Sequence, residues 1–518
     1  MPDDLGVLLQ NIHYWVKNSP SLFSLNDTIY ILLYSITFYI IFSFSKTKKS
    51  YKIKQKILLI LFSVIICIIS FSYIKKENKE FLLLPLLSVI NNGFLYVKDN
   101  DLYANYKYKE RDYIQRDIDD IKVHEERGRI NVLMIIQESL RGDHLSIFGY
   151  HRKTTPIQDI FFKNAYLFIN AISNRTTTGP SLSTLFTGTI RVIKKEIFKR
   201  SLIWQYAKRS GKHTFYITSH WIEWNFMKTA FTNLKYIDFI NSPLAARASI
   251  GRDDILTVDI FNQYLTKIKN NNKPFFGVLH FSGTHYPYST PSQHRIWKPS
   301  KSSMNPNHID KVINQYDNSI RYNDFVMGKA LKHLEKLGLS ENTIIILTSD
   351  HGEGFYEHKK FFHGKGNFWQ EGIHIPFIIH IPESLKLLFS EEELFNLNKN
   401  IYKYISNVDI FPTLMDIWKL SSNKKLSGNS LLKVRNKRFS ILTDKNGFLL
   451  IETHTGIKRI YEYDKKQIKI INLITDPDEK NINIIQLSAS PSLKKVLNLI
   501  ESKSFNDKQL EQEVFITH

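Results

Sequence analysis

Two uncharged apolar stretches near the start constrain this chain most. Residues 28–45 read TIYILLYSITFYIIFSFS and residues 57–74 read ILLILFSVIICIISFSYI. Each is 18 residues long, the lower length for a helix that crosses a bilayer. Neither shows the polar face that a helix on a globular core needs. Residues 1–97 are therefore expected to form a two-helix membrane anchor. The first stretch starts late and follows no basic run, which argues against a cleaved signal peptide. Between the two lies KTKKSYKIKQK, with Lys46, Lys48, Lys49, Lys52, Lys54 and Lys56. A lysine loop of this kind stays on the cytoplasmic side, so everything after residue 74 is expected outside. Residues 81–90, FLLLPLLSVI, are short and contain Pro85. They read as an interfacial or buried helix, and a third span there would reverse the orientation.

The remaining length is too great for one ordinary domain. Residues 98–128 mix both charge signs and read as a linker. The formal net charge is +21. That charge fits attraction to anionic lipid, and it equally fits a Lys-rich coding bias spread over a solvated surface. No zinc-finger spacing or RNA-binding signature accompanies it, so nucleic acid is not expected as a partner. The single cysteine, Cys67, leaves no intrachain disulfide and no Cys-based metal site.

From residue 129 apolar runs alternate with amphipathic ones. Val132–Ile136 is a strand buried on both faces that ends at Glu138. Further strands are expected at 212–218, 273–281, 342–354 and 374–382. Helices are expected at 257–270 and 310–338, the second closed by Gly338. This alternation predicts an α/β domain with a mainly parallel sheet over 129–435. From 436 the pattern changes to short strands with turns at 445–447, 456 and 464–466. A smaller β-rich subdomain with a helical, polar tail is expected over 436–518.

Open α/β sheets place their chemistry at the carboxyl ends of strands. Three such ends carry candidates: Glu138; then His280 and His285; then Asp350 and His351, followed by Glu353, His358 and His363. Acids and histidines with a nearby hydroxyl suit Zn²⁺ or Mn²⁺. The turn Thr176-Thr177-Thr178 runs through Gly179-Pro180 into LSTLF, a helix start. Helix N-termini favour anions such as phosphate. Alone, Thr178 reads better as a helix N-cap than as a nucleophile. Beside a metal it becomes a nucleophile, because coordination lowers the pKa of its hydroxyl.

Several motifs now stand in order: NVLMIIQESLRGD, TTTGPSLSTLFTG, HFSGTHYPY, QYDNSIRYND, LTSDHGEGFYEHKKFFHG, VDIFPTLMDI and NLITDPDEKNI. Together the chain resembles the sulfatase-like branch of the alkaline-phosphatase superfamily over about 129–480. In character it is similar to membrane-anchored phosphoethanolamine and phosphoglycerol transferases. The resemblance implies a three-layer α/β domain with the smaller C-terminal β-rich subdomain. It implies one divalent metal, zinc or manganese, held by Glu138, Asp350 and His351, with Thr178 as nucleophile and fourth ligand. His285 and His363 match histidines that contact substrate or a second metal. Sulfatases carry a Cys or Ser, converted to formylglycine, in a C/S-x-P-x-R segment. Here that segment is Thr178, Gly179, Pro180, Ser181 and Leu182, which points to phosphoryl transfer.

The expected reaction moves a phospholipid headgroup, phosphoethanolamine by preference, through a covalent threonine intermediate onto a cell-envelope glycan or lipid. The catalytic domain would face the periplasmic or extracellular side of a bacterial inner membrane. Phosphoglycerol transfer, hydrolysis of phosphate or sulfate esters, and an inactive envelope binding protein remain open alternatives, as does the oligomeric state.

Overall fold

The computed structural model describes residues 122–123 and 127–486, apart from 191–199, 221–235, 242–253 and shorter intervals at 272, 365, 422–423, 425, 436–438, 445–446, 463–464 and 466. They all belong to one of the two compact units into which the chain divides, the one formed by Tyr113–Ala246 with Arg252–His518. The expected spans at 28–45 and 57–74, the stretch 81–90 and the tail after 486 lie outside the described residues. Among those described, no helix is long and apolar enough to cross a membrane.

The centre is a seven-stranded sheet. Its members in chain order are β1 (Asn131–Gln137), β2 (Tyr166–Leu167), β3 (His213–Thr218), β4 (Phe239–Asn241), β5 (Phe275–Phe281), β6 (Thr343–Ser349) and β7 (Phe377–His380). Their spatial order is β2-β7-β6-β1-β5-β3-β4. The run from β6 to β4 is parallel throughout. The segment 374–382 is a strand as expected, but it pairs antiparallel with β6, and β2 pairs antiparallel with it. Parallel return needs a crossover element. Between β6 and β7 the chain carries only loops, a two-residue hairpin and the one-turn helix Gln370–Ile373.

β1 is buried at every position, and its side chains alternate between two cores. Val132, Met134 and Ile136 face a cluster with Leu182, Leu185, Phe186, Ile410 and Leu414. Those five come from α1 (Thr178–Thr187) and a helix at Ile410–Ile417. Leu133 and Ile135 face the other side, with Val258, Phe261, Val326 and Leu334. These belong to α2 (Asp254–Lys269) and α3 (Ile309–Lys336). Helices on both faces explain why the central strands read as continuous apolar runs. Gly277 in β5 is required by this packing, since a Cβ there would meet the Phe215 ring at 1.9 Å.

The C-terminal part is a five-stranded antiparallel meander: Phe439–Asp444, Gly447–Glu452, Ile457–Glu462, Gln467–Asn472 and Asn483–Gln486. The first four follow the expected strands. It is fastened to the rest of the domain through Asn174, whose Nδ2 donates to Ile441 O at 2.7 Å. The same side chain's Oδ1 accepts from Val408 N at 2.8 Å. At the other end, the close of the segment read as a linker is tied to the domain. Lys122–Val123 pairs with Leu420–Ser421, and buried Arg127 donates to both oxygens of Glu393.

Candidate active site at the carboxyl edge of the sheet

Because β1, β5 and β6 run parallel and in register, they end together. Gln137 lies opposite Phe281 on one side and Ser349 on the other. The next residues of each strand therefore share one edge. Glu138 N donates to Phe281 O at 2.8 Å. Ser139, at φ 56, turns its amide toward Asp350, donating to Oδ1 at 3.0 Å. Asn407 Nδ2 donates to Ser349 O at 2.8 Å and steadies the end of β6.

α1 enters this edge by its N-terminus. Its N-cap is Thr177, which makes no side-chain cap bond. Thr178 is the first helical residue, so its hydroxyl is not spent on capping. That hydroxyl donates to Glu138 Oε1 at 2.5 Å and lies 3.2 Å from His351 Nε2. Glu138, Asp350 and His351 are fully buried, and one donor atom from each lies within 4.8 Å of the others.

The donor chemistry fits a divalent cation. His351 Nδ1 donates to Gly352 O at 2.9 Å, which fixes the tautomer and leaves a lone pair on Nε2. Asp350 Oδ2 is buried without a hydrogen-bond partner and sits 3.2 Å from that Nε2. Thr178 has one proton, and Glu138 receives it. Lone pairs thus converge with no hydrogen between them, an arrangement a positive ion relieves. Burial and the Glu138 charge push the Asp350 carboxyl above its ordinary range. For Glu138 burial also acts upward, but His220, His280 and His285 outweigh it and hold the carboxyl well below the usual range.

The two further histidines lie at the rim. The His363 ring is 4.3 Å from His351 and 5.1 Å from His285, centre to centre. His285 donates from Nδ1 to Tyr286 O at 2.7 Å, and His363 Nδ1 meets Glu353 Oε2 at 3.0 Å. The other oxygen of Glu353 accepts from Tyr288 at 3.0 Å. Burial draws the His363 imidazole down, but Glu353 outweighs it and holds the ring above the ordinary histidine value.

Of the candidates read from the sequence, His280 also reaches the site, and the structure adds Tyr216 and His220, which the sequence pattern did not single out. His280 Nε2 contacts Glu138 Oε2 at 3.0 Å, and Tyr216 supports it on the other ring nitrogen, also at 3.0 Å. His220 stands 3.8 Å from Glu138 Oε1 and stacks on His280. Its signal was its place just past the end of β3, at the edge shared by the ends of β1, β5 and β6. His358 goes elsewhere: it pairs with Glu371 at 3.0 Å and stacks on Trp369.

A helix–sheet–helix domain with acids, histidine and a helix-borne hydroxyl at one strand edge defines a class of α/β proteins whose strand ends carry a candidate metal site. Residues 130–419, more than half of the chain, match the Sulfatase family, and the chain belongs to that family. Among curated proteins it is 28% identical over 263 residues to phosphoethanolamine transferase EptA of Helicobacter pylori, covering 49% of this chain and 48% of that protein. It is 24% identical over 353 residues to the ulvan-active sulfatase of Formosa agariphila, covering 60% and 66%. The chain thus spans from about half to two thirds of the length of these relatives. Among solved structures, the zinc complex of the C-terminal periplasmic domain of EptC from Escherichia coli superposes with a TM-score of 0.54 at 22% identity. That match covers 65% of this chain and 95% of the other, and it shows a shared fold.

Proposed function

We propose that this chain is a phosphotransferase that moves a phospholipid headgroup, phosphoethanolamine, onto a cell-envelope glycan or lipid by way of Thr178. The observation that carries this reading is the Thr178 hydroxyl, buried at the start of α1 and held between Glu138 and His351. Its likeness to a phosphoethanolamine transferase supports the choice of headgroup. A threonine does not yield formylglycine, so the sulfatase relatives are a poorer guide to the reaction.

Glu138, Asp350 and His351, with Thr178 as fourth donor, would hold one divalent ion, zinc or manganese, which when bound lowers the hydroxyl pKa and offsets phosphoryl charge. Thr178 gives up its proton to solvent, and its Oγ1, as the oxyanion that the second step regenerates, attacks the donor phosphorus. A phosphorus–oxygen bond forms to Thr178, and the one to diacylglycerol breaks. The departing oxygen takes a proton from His363 or His285, the two imidazoles at the rim. An acceptor hydroxyl then returns a proton to that imidazole, attacks the same phosphorus and frees Thr178. Pro180 has no N–H and Ser181 N donates to Thr177 O, so in the first turn of α1 the Thr178 and Gly179 amides would be the ones to meet phosphoryl oxygens. The two expected spans would keep the unit beside its lipid donor, on the periplasmic or extracellular face. Reporter fusions at residues 50 and 120 test this; a cytoplasmic signal at 120 rejects it.

Mass spectrometry of the purified chain after exposure to phosphatidylethanolamine tests the reaction. A phosphoethanolamine adduct on the peptide containing Thr178 is expected, and its mass separates ethanolamine from glycerol. An adduct at another residue, with none on Thr178, rejects the proposal.

A further inference from the structure

The segment that follows the rim histidine His285 has an unusual composition. Residues 283–309 contain no Asp or Glu, while Arg295, Lys298 and Lys301 are all exposed. Within this basic surface Ile296 is 54% exposed and Met304 63% exposed, and between them Trp297 is half-buried.

The loop is built to hold this surface in place. Buried Asn318 of α3 accepts from Ile296 N at 2.8 Å and Trp297 N at 3.0 Å, and donates to Trp297 O at 2.8 Å. Two more α3 side chains reach loop carbonyls, Gln315 to Tyr288 O at 2.6 Å and Asn314 to Pro299 O at 2.9 Å. The Arg152 guanidinium, bound to Asp317, lies 5.5 Å over the Trp297 ring, a pair that adds no net charge. Of the acids nearby, Asp317 is thus neutralised, and Asp310 is exposed next to Lys311 at the start of α3. So many polar anchors have no use in a loop that merely connects β5 to α3. Their effect is to keep Ile296 and Met304 pointing out among cations.

We propose that residues 289–308 dock on an anionic lipid surface. Such a surface rewards both halves of the loop: anionic headgroups attract Arg295, Lys298 and Lys301, and the interface receives Ile296, Met304 and the Trp297 ring. A soluble polyanion would reward only the charges. Because the loop starts at His285, docking would bring the candidate active site against the lipid headgroups. The inference stands on the loop and does not need the proposed headgroup transfer.

The test uses the full chain with Cys67→Ser, a single Ile296→Cys carrying an environment-sensitive dye, and reconstitution into phosphatidylglycerol or phosphatidylcholine vesicles. A blue-shifted emission, quenched by a lipid-borne quencher, is expected in phosphatidylglycerol and not in phosphatidylcholine. Met304→Cys provides a second reporter. Each basic residue contributes about fivefold to partitioning, so the triple change Arg295→Gln, Lys298→Gln, Lys301→Gln should lower the docked population on the order of a hundredfold. Water-like emission at both positions in phosphatidylglycerol overturns the proposal. So does an equal shift with soluble polyphosphate in place of anionic vesicles. The shift should survive Thr178→Ala, which separates failure of docking from failure of the reaction.

Discussion

Two clusters in this molecule use almost the same side chains and come to different ends. One is Glu138, Asp350 and His351; the other is His358, Glu371 and Glu479. In each, a histidine and two largely buried carboxylates approach within 4.8 Å. The second cluster carries its own cation. Lys458, fully buried, donates to Glu479 Oε1 at 2.5 Å, and Gln370 N donates to Oε2 at 2.6 Å. His358 donates toward Glu371 from the other side. The second cluster thus meets its two acids with a lysine and with a histidine that, against burial, Glu371 holds above the ordinary value. Among the described residues no lysine or arginine pairs with Glu138 or Asp350, and Asp350 Oδ2 has no donor at all. A buried acid needs a partner. The difference teaches that the lack of a lysine or arginine and the donorless Asp350 Oδ2, more than the inventory of ligands, mark out the first cluster as the candidate metal site.

The comparison breaks most readily at Thr178, which has no counterpart in the second cluster. Thr178→Ala should lower headgroup transfer by roughly a thousandfold or more, as loss of a nucleophile does, with the unfolding temperature near that of the parent. Retained turnover would remove Thr178 from the mechanism. Chelation is the next largest test. It should abolish turnover and lower the thermal midpoint, and zinc or manganese returned at a hundred times its Kd should restore about 2.7 kcal/mol. Metal analysis should count one ion per chain, none in Asp350→Asn, and still one in Glu371→Gln. An ion lost in Glu371→Gln would show that the two clusters had been assigned the wrong way round.

Much of the first cluster was legible in sequence because parallel strands must end together. Once Val132–Ile136, 273–281 and 342–354 were read as strands, Glu138, His285 and Asp350-His351 had one edge to share. The covering helices followed from periodicity, and the C-terminal strands from alternation and turn residues. The rest depended on pairings with no local signal. The antiparallel direction of Phe377–His380 is set by what the preceding loop omits. Asn483–Gln486 lies in a polar context that reads as tail. The dense histidines of 351–363 read as one group, yet the hairpin between them sends His358 to Trp369 and Glu371 while His363 turns back to Glu353. His220 had the same strand-end signal, just past β3, whereas Tyr216 reaches the site from within β3 only through tertiary packing, which no spacing rule encodes.

The second cluster gives the smaller effects. Lys458→Met would leave Glu479 buried and uncompensated, at a cost of about 3–5 kcal/mol. Urea unfolding should show that loss, while turnover per folded molecule with added metal stays near the parent's. Adding Glu479→Gln should recover much of the stability, since the amide oxygen still accepts from Gln370 N. An equal loss in the single and double variants would mean that shape, not charge balance, holds this cluster together.

The smallest effect distinguishes the clusters by the sign of their response to pH. Burial lowers the His358 imidazole, but the bond to Glu371 outweighs it and holds the pKa above the ordinary value. A group raised in the folded state contributes stability that is fully present below its unfolded pKa and is lost as pH rises through the folded one. Parent and His358→Gln should therefore differ most near pH 6 and converge as the solution becomes alkaline. The side chain is partly exposed, so the difference should stay below about 1 kcal/mol. The first cluster requires the opposite, since His351 offers a metal its Nε2 lone pair only when that atom is unprotonated. Acid should weaken metal retention there while the second cluster is at its strongest. If stability and metal content instead fell together on acidification in His358→Gln but not in the parent, His358 would be bracing the metal site through the hairpin, and the two clusters would be one unit.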